Sequence, residues 1–183
     1  FYYDFKFPEG VSVSENDLEK IEDKMKEIAK GGHAFIRKEV SVDEAKNFEK
    51  DQPFKLELIE EFAKEGMTLT LYESGPFTDL CRGGHAENTK EIPLDGLKLH
   101  KVAGAYWRGK ETNPMLTRIY GLLFPSGKDL RVYLNMLEEA KKRDHRKLGK
   151  ELDLFVISDL VGPGMPLFTP RGTIVRNSII GYS

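Results

Sequence analysis

Thr78-Asp79-Leu80-Cys81-Arg82-Gly83-Gly84-His85 decides how this chain is read. It holds the only cysteine in 183 residues, followed four positions later by a histidine with an arginine and two glycines between. Glycine tolerates backbone conformations closed to other residues, so the stretch can turn sharply and bring a thiol, an imidazole and the Asp79 carboxylate into one small volume. Cysteine and histidine are both zinc ligands, but a zinc site takes three or four protein ligands and two are offered here. A lone cysteine is most often a small buried hydrophobe, and Cys-x-x-x-His by itself matches no metal or catalytic signature.

Working upstream, Gly75-Pro76 turns the chain into this stretch, and Met67 to Tyr72 alternates Leu69 and Leu71 with threonines, the period of a strand. A strand end is a rigid support for reactive groups. Pro53-Phe54-Lys55 begins a helix that carries Leu56, Ile59, Phe62 and Ala63 inward and stops at Gly66. Ser41 with Glu44 forms a capping box for a short helix through Phe48, after a strand over Phe35 to Val40. Ser14 with Asp17 opens an amphipathic helix of Leu18, Ile21, Met25 and Ile28, which Gly31-Gly32 ends. His33 then reads as a solvated loop residue, and Phe1 to Phe7 as a strand ended by Pro8.

Downstream, Glu87 to Asp95 reads as polar loop and Leu97 to Tyr106 as a strand in which His100 faces away from Leu99 and Lys101, a structural position. Pro114 suits the first turn of a helix over Met115 to Leu122, with Leu116, Ile119 and Tyr120 as its apolar face. After Ser126-Gly127 one long helix is expected from about Lys128 to about Leu152, with a basic run Lys141-Lys142-Arg143-Asp144-His145-Arg146-Lys147. Such a run is a solvated helix face or a phosphate-contacting surface. Beyond it, Leu154, Phe155, Leu167, Phe168 and Ile174 are strand-like apolar positions flanking Gly162-Pro163-Gly164. Strands alternating irregularly with helices give an α+β class.

Composition bounds the rest. A hydrophobic fraction of 39% with 32% charged residues can build a core, and no apolar run reaches the eighteen residues of a membrane span. One cysteine makes no internal disulfide, which agrees with a reducing, cytoplasmic setting. A net charge of -2 argues against a uniformly basic nucleic-acid binder and leaves room for a local basic face. The first residues, without Met and without a signal-peptide pattern, suit an internal stretch of a longer protein.

Asp79-Leu80-Cys81-Arg82-Gly83-Gly84-His85 resembles the Asp-x-Cys-Arg-Gly-x-His signature of the editing domain of bacterial-type threonyl-tRNA synthetases. Lys101 to Gly109 (Lys-Val-Ala-Gly-Ala-Tyr-Trp-Arg-Gly), Met115-Leu116 and Arg118-Ile119-Tyr120-Gly121 resemble further signatures of that family in the same order, as does the opening Phe1-Tyr2-Tyr3-Asp4-Phe5. The resemblance implies an editing domain over 1–125, a linker helix with some tRNA contact over 126–150, and the opening strands of a class II synthetase core over 151–183. It implies Cys81, His85, Asp79 and Lys55 as catalytic residues and Tyr3 and Arg82 as substrate-binding ones. Cys81 and His85 are half of a zinc site that a His-x-x-x-His helix upstream would complete, so weak or no metal binding is expected here. ATP, Mg, a second zinc and a homodimer contact belong, on the resemblance, to the full-length enzyme outside this stretch.

The reaction implied is hydrolysis of the ester of serine on threonine tRNA. A missing methyl discriminates by only about 1–3 kcal/mol, which calls for a second, hydrolytic site. Gly84 stands where the signature more often has Pro, which is expected to loosen the turn at a cost of roughly 1 kcal/mol. Two other readings use the same residues: a tRNA-binding module that keeps the editing fold without hydrolysis, and a plain α+β domain with Cys81 in its core. In the hydrolytic reading Tyr3, Lys55, Asp79, Cys81 and His85 line one cleft.

Overall fold

The computed structural model describes residues 1–162 and 164–182. Pro163, within the expected Gly162-Pro163-Gly164 turn, and Ser183 lie outside the described residues. The chain divides into two compact units, Phe1–Leu130 and Arg131–Ser183; the sequence-based boundaries at 125 and 150 lie on either side of that division.

The first unit has two antiparallel three-stranded sheets, each with helices on one face. One sheet has the order β1-β6-β5, from Tyr2–Phe5 (β1), Met115–Leu123 (β6) and Leu97–Tyr106 (β5). The helix Leu18–Lys30 (α1), which begins behind a Ser14–Asp17 capping box, packs Leu18 against Leu99 and Ile119, with Val13, Ile21, Met25 and Val102 around them. The other sheet has the order β2-β3-β4, from Phe35–Val40 (β2), Leu69–Ser74 (β3) and Phe77–Leu80 (β4). Helices Val42–Phe48 (α2) and Pro53–Lys64 (α3) cover it, and Ala45, Ile59 and Leu69 form its core with Val40, Leu56, Phe62 and Leu80. Gly75 takes φ +58 in the two-residue β3–β4 turn, the positive φ that a tight hairpin needs at its first central position.

Met115–Leu123 is a strand and not the helix its Leu116-Ile119-Tyr120 spacing predicts. It is the central strand, paired with Tyr2–Phe5 on one side and Leu97–Tyr106 on the other, and its apolar Leu116, Ile119 and Tyr120 fall at helical spacing only by coincidence of sequence. Thr117, Ile119 and Tyr120 are strand-forming types, and Pro114 closes the hairpin by accepting from the Trp107 N–H at 3.0 Å. Thr70, read as the polar face of its strand, is buried and donates its hydroxyl proton to the Cys81 carbonyl.

A bulge between Leu99 and Lys101 makes His100 the extra, exposed residue of β5, outside the core. The buried Glu22 carboxylate of α1 accepts the Leu99 N–H at 2.9 Å beside that bulge and pairs with Lys26 and Lys98. Burial pushes the Glu22 carboxyl up, but Lys26, the Leu99 amide and Lys98 outweigh it and hold the group below the usual range. His33 is half-buried rather than solvated, with its ring lying where a side chain at Gly31 or Gly75 would have to go. The expected polar loop carries two short 3-10 turns, and its buried Thr89 accepts from the His33 N–H and donates to the Ala29 carbonyl.

The expected single helix over 128–152 is two helices, Gly127–Lys142 (α4), which runs across the division between the units, and His145–Glu151 (α5). Asp144 separates them because its carboxylate caps α5, accepting from the Arg146 N–H at 2.8 Å. That short side chain competes with helical hydrogen bonding, and its Arg146 partner holds the carboxyl at about 2. The second unit continues with a hairpin of Phe155–Ile157 (β7) and Pro166–Phe168 (β8) and ends in the helix Pro170–Tyr182 (α6). Ile174, read as strand-like, lies in α6, which Pro170 and the Thr169 cap start, Thr169 accepting from the Gly172 N–H at 3.0 Å. Among the described residues no helix is long and apolar enough to cross a membrane.

Candidate active site

Three of the sequence-predicted residues meet in the first unit, each brought by a different element. Asp79 is the third residue of β4, paired across the hairpin with Tyr72. Tyr3 comes from β1 of the other sheet and donates its phenolic proton to Asp79 Oδ2 at 2.8 Å. Lys55 stands in the first turn of α3 and donates to Asp79 Oδ1 at 2.5 Å. The Leu80 N–H donates to the same oxygen at 2.6 Å, so both carboxylate oxygens are held. Arg118 fixes the strand that carries Tyr3, gripping Asp4 with two hydrogen bonds of 2.7 and 2.8 Å and lying over the Tyr2 ring at 3.9 Å.

Burial and then the adjacent Asp79 raise the Tyr3 phenol above its ordinary value, with Glu49 and Cys81 adding to the effect. A neutral phenol facing a carboxylate that already accepts an ammonium is a stable donor, and the Asp79 side chain is only 15% exposed.

Tyr3, Lys55 and Asp79 line a cleft of about 830 Å³ whose walls are Tyr2, Phe5, Phe54, Phe77 and Trp107, with Lys6 among its polar lining. The volume is that of a site for a small organic ligand. Trp107 is held by an Nε1–H donation to Glu57 of α3 at 2.8 Å, and its ring lies 4.9 Å from Phe54. Phe54, Trp107 and Phe77 went unassigned in the sequence reading; the aromatic neighbours of Lys55 and of the Trp107-Arg108 signature were the available signal.

Cys81, Arg82 and His85 are not among the side chains that line this cleft, where Tyr3, Lys55 and Asp79 meet, although Cys81 lies near enough to Tyr3 to bear on its phenol. Cys81 follows β4 directly and is half-buried, its N–H donating to the Thr70 carbonyl at 3.1 Å. Arg82 lies over the Phe62 ring at 5.2 Å, on the helix side of the second sheet's core. The His85 ring stacks on Tyr72 at 4.1 Å and tilts against Phe35 at 4.9 Å. Gly83 and Gly84, at φ +108 and +83, swing the chain back over the sheet to make that stack. A proline cannot reach φ +83, so Gly84 is what this turn requires rather than a loosened version of it.

Zinc fits poorly with these positions. Among the described residues no three of His, Cys, Asp and Glu gather where they could hold a metal ion. Cys81 and His85 are two donors at most, and the imidazole is engaged by two aromatic rings.

Residues 69–120, from β3 to β6 and including Asp79, Cys81 and His85, match the family model described as the threonyl and alanyl tRNA synthetase second additional domain. The whole chain is 53% identical over 183 residues to the threonine–tRNA ligase of Thermotoga neapolitana, covering 28% of that protein. It is 51% identical over 176 residues, 96% of the chain, to that of Borreliella burgdorferi, covering 30% of it, and 50% identical over 183 residues to that of Thermotoga maritima. Over its whole length the chain is thus similar to threonine–tRNA ligases, of which it spans under a third, and its residues 69–120 are similar to their second additional domain.

Proposed function

We propose that this chain carries the editing region of a threonine–tRNA ligase, and that the cleft lined by Tyr3, Lys55 and Asp79 hydrolyses the ester of serine wrongly attached to threonine tRNA. The observation that supports this most is the convergence of those three polar groups, from three separate elements, on the floor of an aromatic-walled cleft. Ester hydrolysis needs the reacting groups placed before reaction and a positive charge where the oxyanion develops. Lys55 supplies that charge. Asp79 orients it and accepts from the substrate amine or hydroxyl, and Tyr3 locks the carboxylate and forms a wall. Phe54, Phe77 and Trp107 offer faces on which the terminal adenosine of the tRNA can stack, an interaction common to single-stranded nucleic-acid sites. Cys81 and His85, at the strand end beside the cleft, shape its approach in this proposal without taking part in the bond cleavage, and Arg82 contacts the tRNA from outside the cleft.

The larger assignments belong to the same proposal. The complete enzyme would charge threonine tRNA using ATP, with Mg and zinc at sites beyond residues 1–183, as a cytoplasmic homodimer. The β7–β8 hairpin and α6 would open its class II core. Lys141, Lys142, Arg143, Arg146 and Lys147 would contact tRNA phosphates. The test is deacylation by the complete synthetase of threonine tRNA charged with serine or with threonine. Fast release of serine with threonine spared is the expected result. Equal rates for the two esters, or none for either, would leave a binding module with this fold and no editing chemistry.

A further inference from the structure

We propose that Glu49 is a positioning residue of this site, holding the Lys55 ammonium from the core side while Asp79 holds it from the cleft side; the role in turnover rests on the editing reading above. Glu49 caps the C-terminus of α2, its N–H donating to the Ala45 carbonyl at 3.0 Å. Its carbonyl accepts from the Gln52 N–H at 2.8 Å, and the Gln52 carbonyl accepts from the Lys55 N–H at 3.0 Å. This tight corner between α2 and α3 sets the Glu49 side chain beneath Lys55, with Oε2 at 3.5 Å from Nζ.

The Glu49 side chain is 4% exposed, and its second oxygen, Oε1, is buried without a hydrogen-bond partner. A buried carboxyl with an orphan oxygen is destabilising, and an apolar residue of similar volume would pack at this corner without that penalty. The chain nevertheless keeps it within reach of the one ammonium that Asp79 also binds. Lysine is a point charge on a flexible four-carbon stem, and one partner does not fix such a group. Two carboxyls within reach of it do. Burial raises the Glu49 carboxyl above its usual range, with Lys55 opposing and Asp79 reinforcing the shift, as expected of two acids sharing one cation.

The test uses the complete synthetase with Glu49→Gln, and with Glu49→Leu should the first not fold. Positioning predicts a fall in kcat for seryl-tRNA hydrolysis on the order of tenfold with KM little changed. In a Lys55→Met background the Glu49→Gln change should cost nothing further, because Glu49 acts through Lys55. A second readout is independent of editing: mass-spectrometric trace labelling of Lys55 with an amine-acylating reagent should quicken roughly tenfold in Glu49→Gln, as the anion at 3.5 Å is removed. If the unmodified enzyme hydrolyses no seryl-tRNA, the editing reading fails and the labelling decides this inference alone. Unchanged labelling of Lys55, or kinetic losses that add in the double variant, would overturn it.

Discussion

Replacing Ile59 by alanine tests whether α3, and with it Lys55, is seated as described. Ile59 is fully buried, enclosed by Ala45 and Leu69 with Leu56, Phe62 and Leu80 around them, and lies one helical turn after Lys55. The change removes three carbon groups, about 2.4 kcal/mol at about 0.8 kcal/mol each. The cavity left behind adds to this, so a total of about 3–4 kcal/mol is expected. Urea unfolding followed by fluorescence is the assay, since the chain has one tryptophan, and Trp107 is tied to α3 through Phe54 and Glu57. With a slope of about 2 kcal/mol/M, the midpoint should fall by about 1.5–2 M with the slope unchanged. A loss under about 1 kcal/mol would mean that α3 does not rest on this core, and the placement of Lys55 against Asp79 would lose its support.

Stability should depend on pH with two opposed signs. Glu22 is held below its ordinary value, so its contribution is present above about pH 4.5 and is lost as the pH falls through its folded value; Glu22→Gln should flatten that acid limb in urea titrations between pH 3 and 6, within the order-of-magnitude range of the carboxylates. Glu49 is raised, so its contribution is present below about pH 4.5 and lost as the pH rises through its folded value, and Glu49→Gln should gain stability toward neutral pH relative to the parent. Gly84→Pro should destabilise by about 1 kcal/mol or more and change the near-ultraviolet dichroism of the His85–Tyr72 stack, because the native φ of +83 is closed to proline; an unchanged midpoint would contradict the turn geometry. Hydrogen exchange should be faster over 151–182 than over 54–110, since Leu160, Ile174, Ile179 and Tyr182 are largely exposed while Ile59, Leu69, Leu71, Leu97 and Leu99 are buried; equal protection would contradict it.

Local signals carried much of the fold. The capping boxes at Ser14 and Ser41, Pro53 at a helix start and Gly75-Pro76 at a hairpin act over three or four residues, and each was legible. Met115–Leu123 was not, because its apolar spacing fits a helix and only pairing with β1 and β5, from opposite ends of the unit's sequence, makes it a strand. The break at Asp144 hid in a basic run whose charges drew attention from a capping residue. At the site, motif identity pointed to Asp79, Lys55 and Tyr3, and the structure brings these together. It could not show that the Gly83-Gly84 turn carries His85 onto Tyr72 and away from the cleft. Glu49 carried no signal, since in Phe48-Glu49-Lys50-Asp51 it resembles any solvated acid, and its burial comes from the packing of α2 against α3.

The central claim is that the cleft holding Asp79 is where the seryl ester is cut. Its most direct test is the single-turnover rate of seryl-tRNA hydrolysis by the complete synthetase carrying Asp79→Ala, beside Cys81→Ala and His85→Ala, with threonine charging measured on the same preparations. Loss of the carboxylate removes the partner of Tyr3 and the nearer of the two partners of Lys55, so hydrolysis should fall by a factor on the order of 10² or more, with threonine charging retained. Hydrolysis at the unmodified rate in Asp79→Ala, together with its loss in Cys81→Ala or His85→Ala, would place the chemistry at the Cys81–His85 turn and contradict the account.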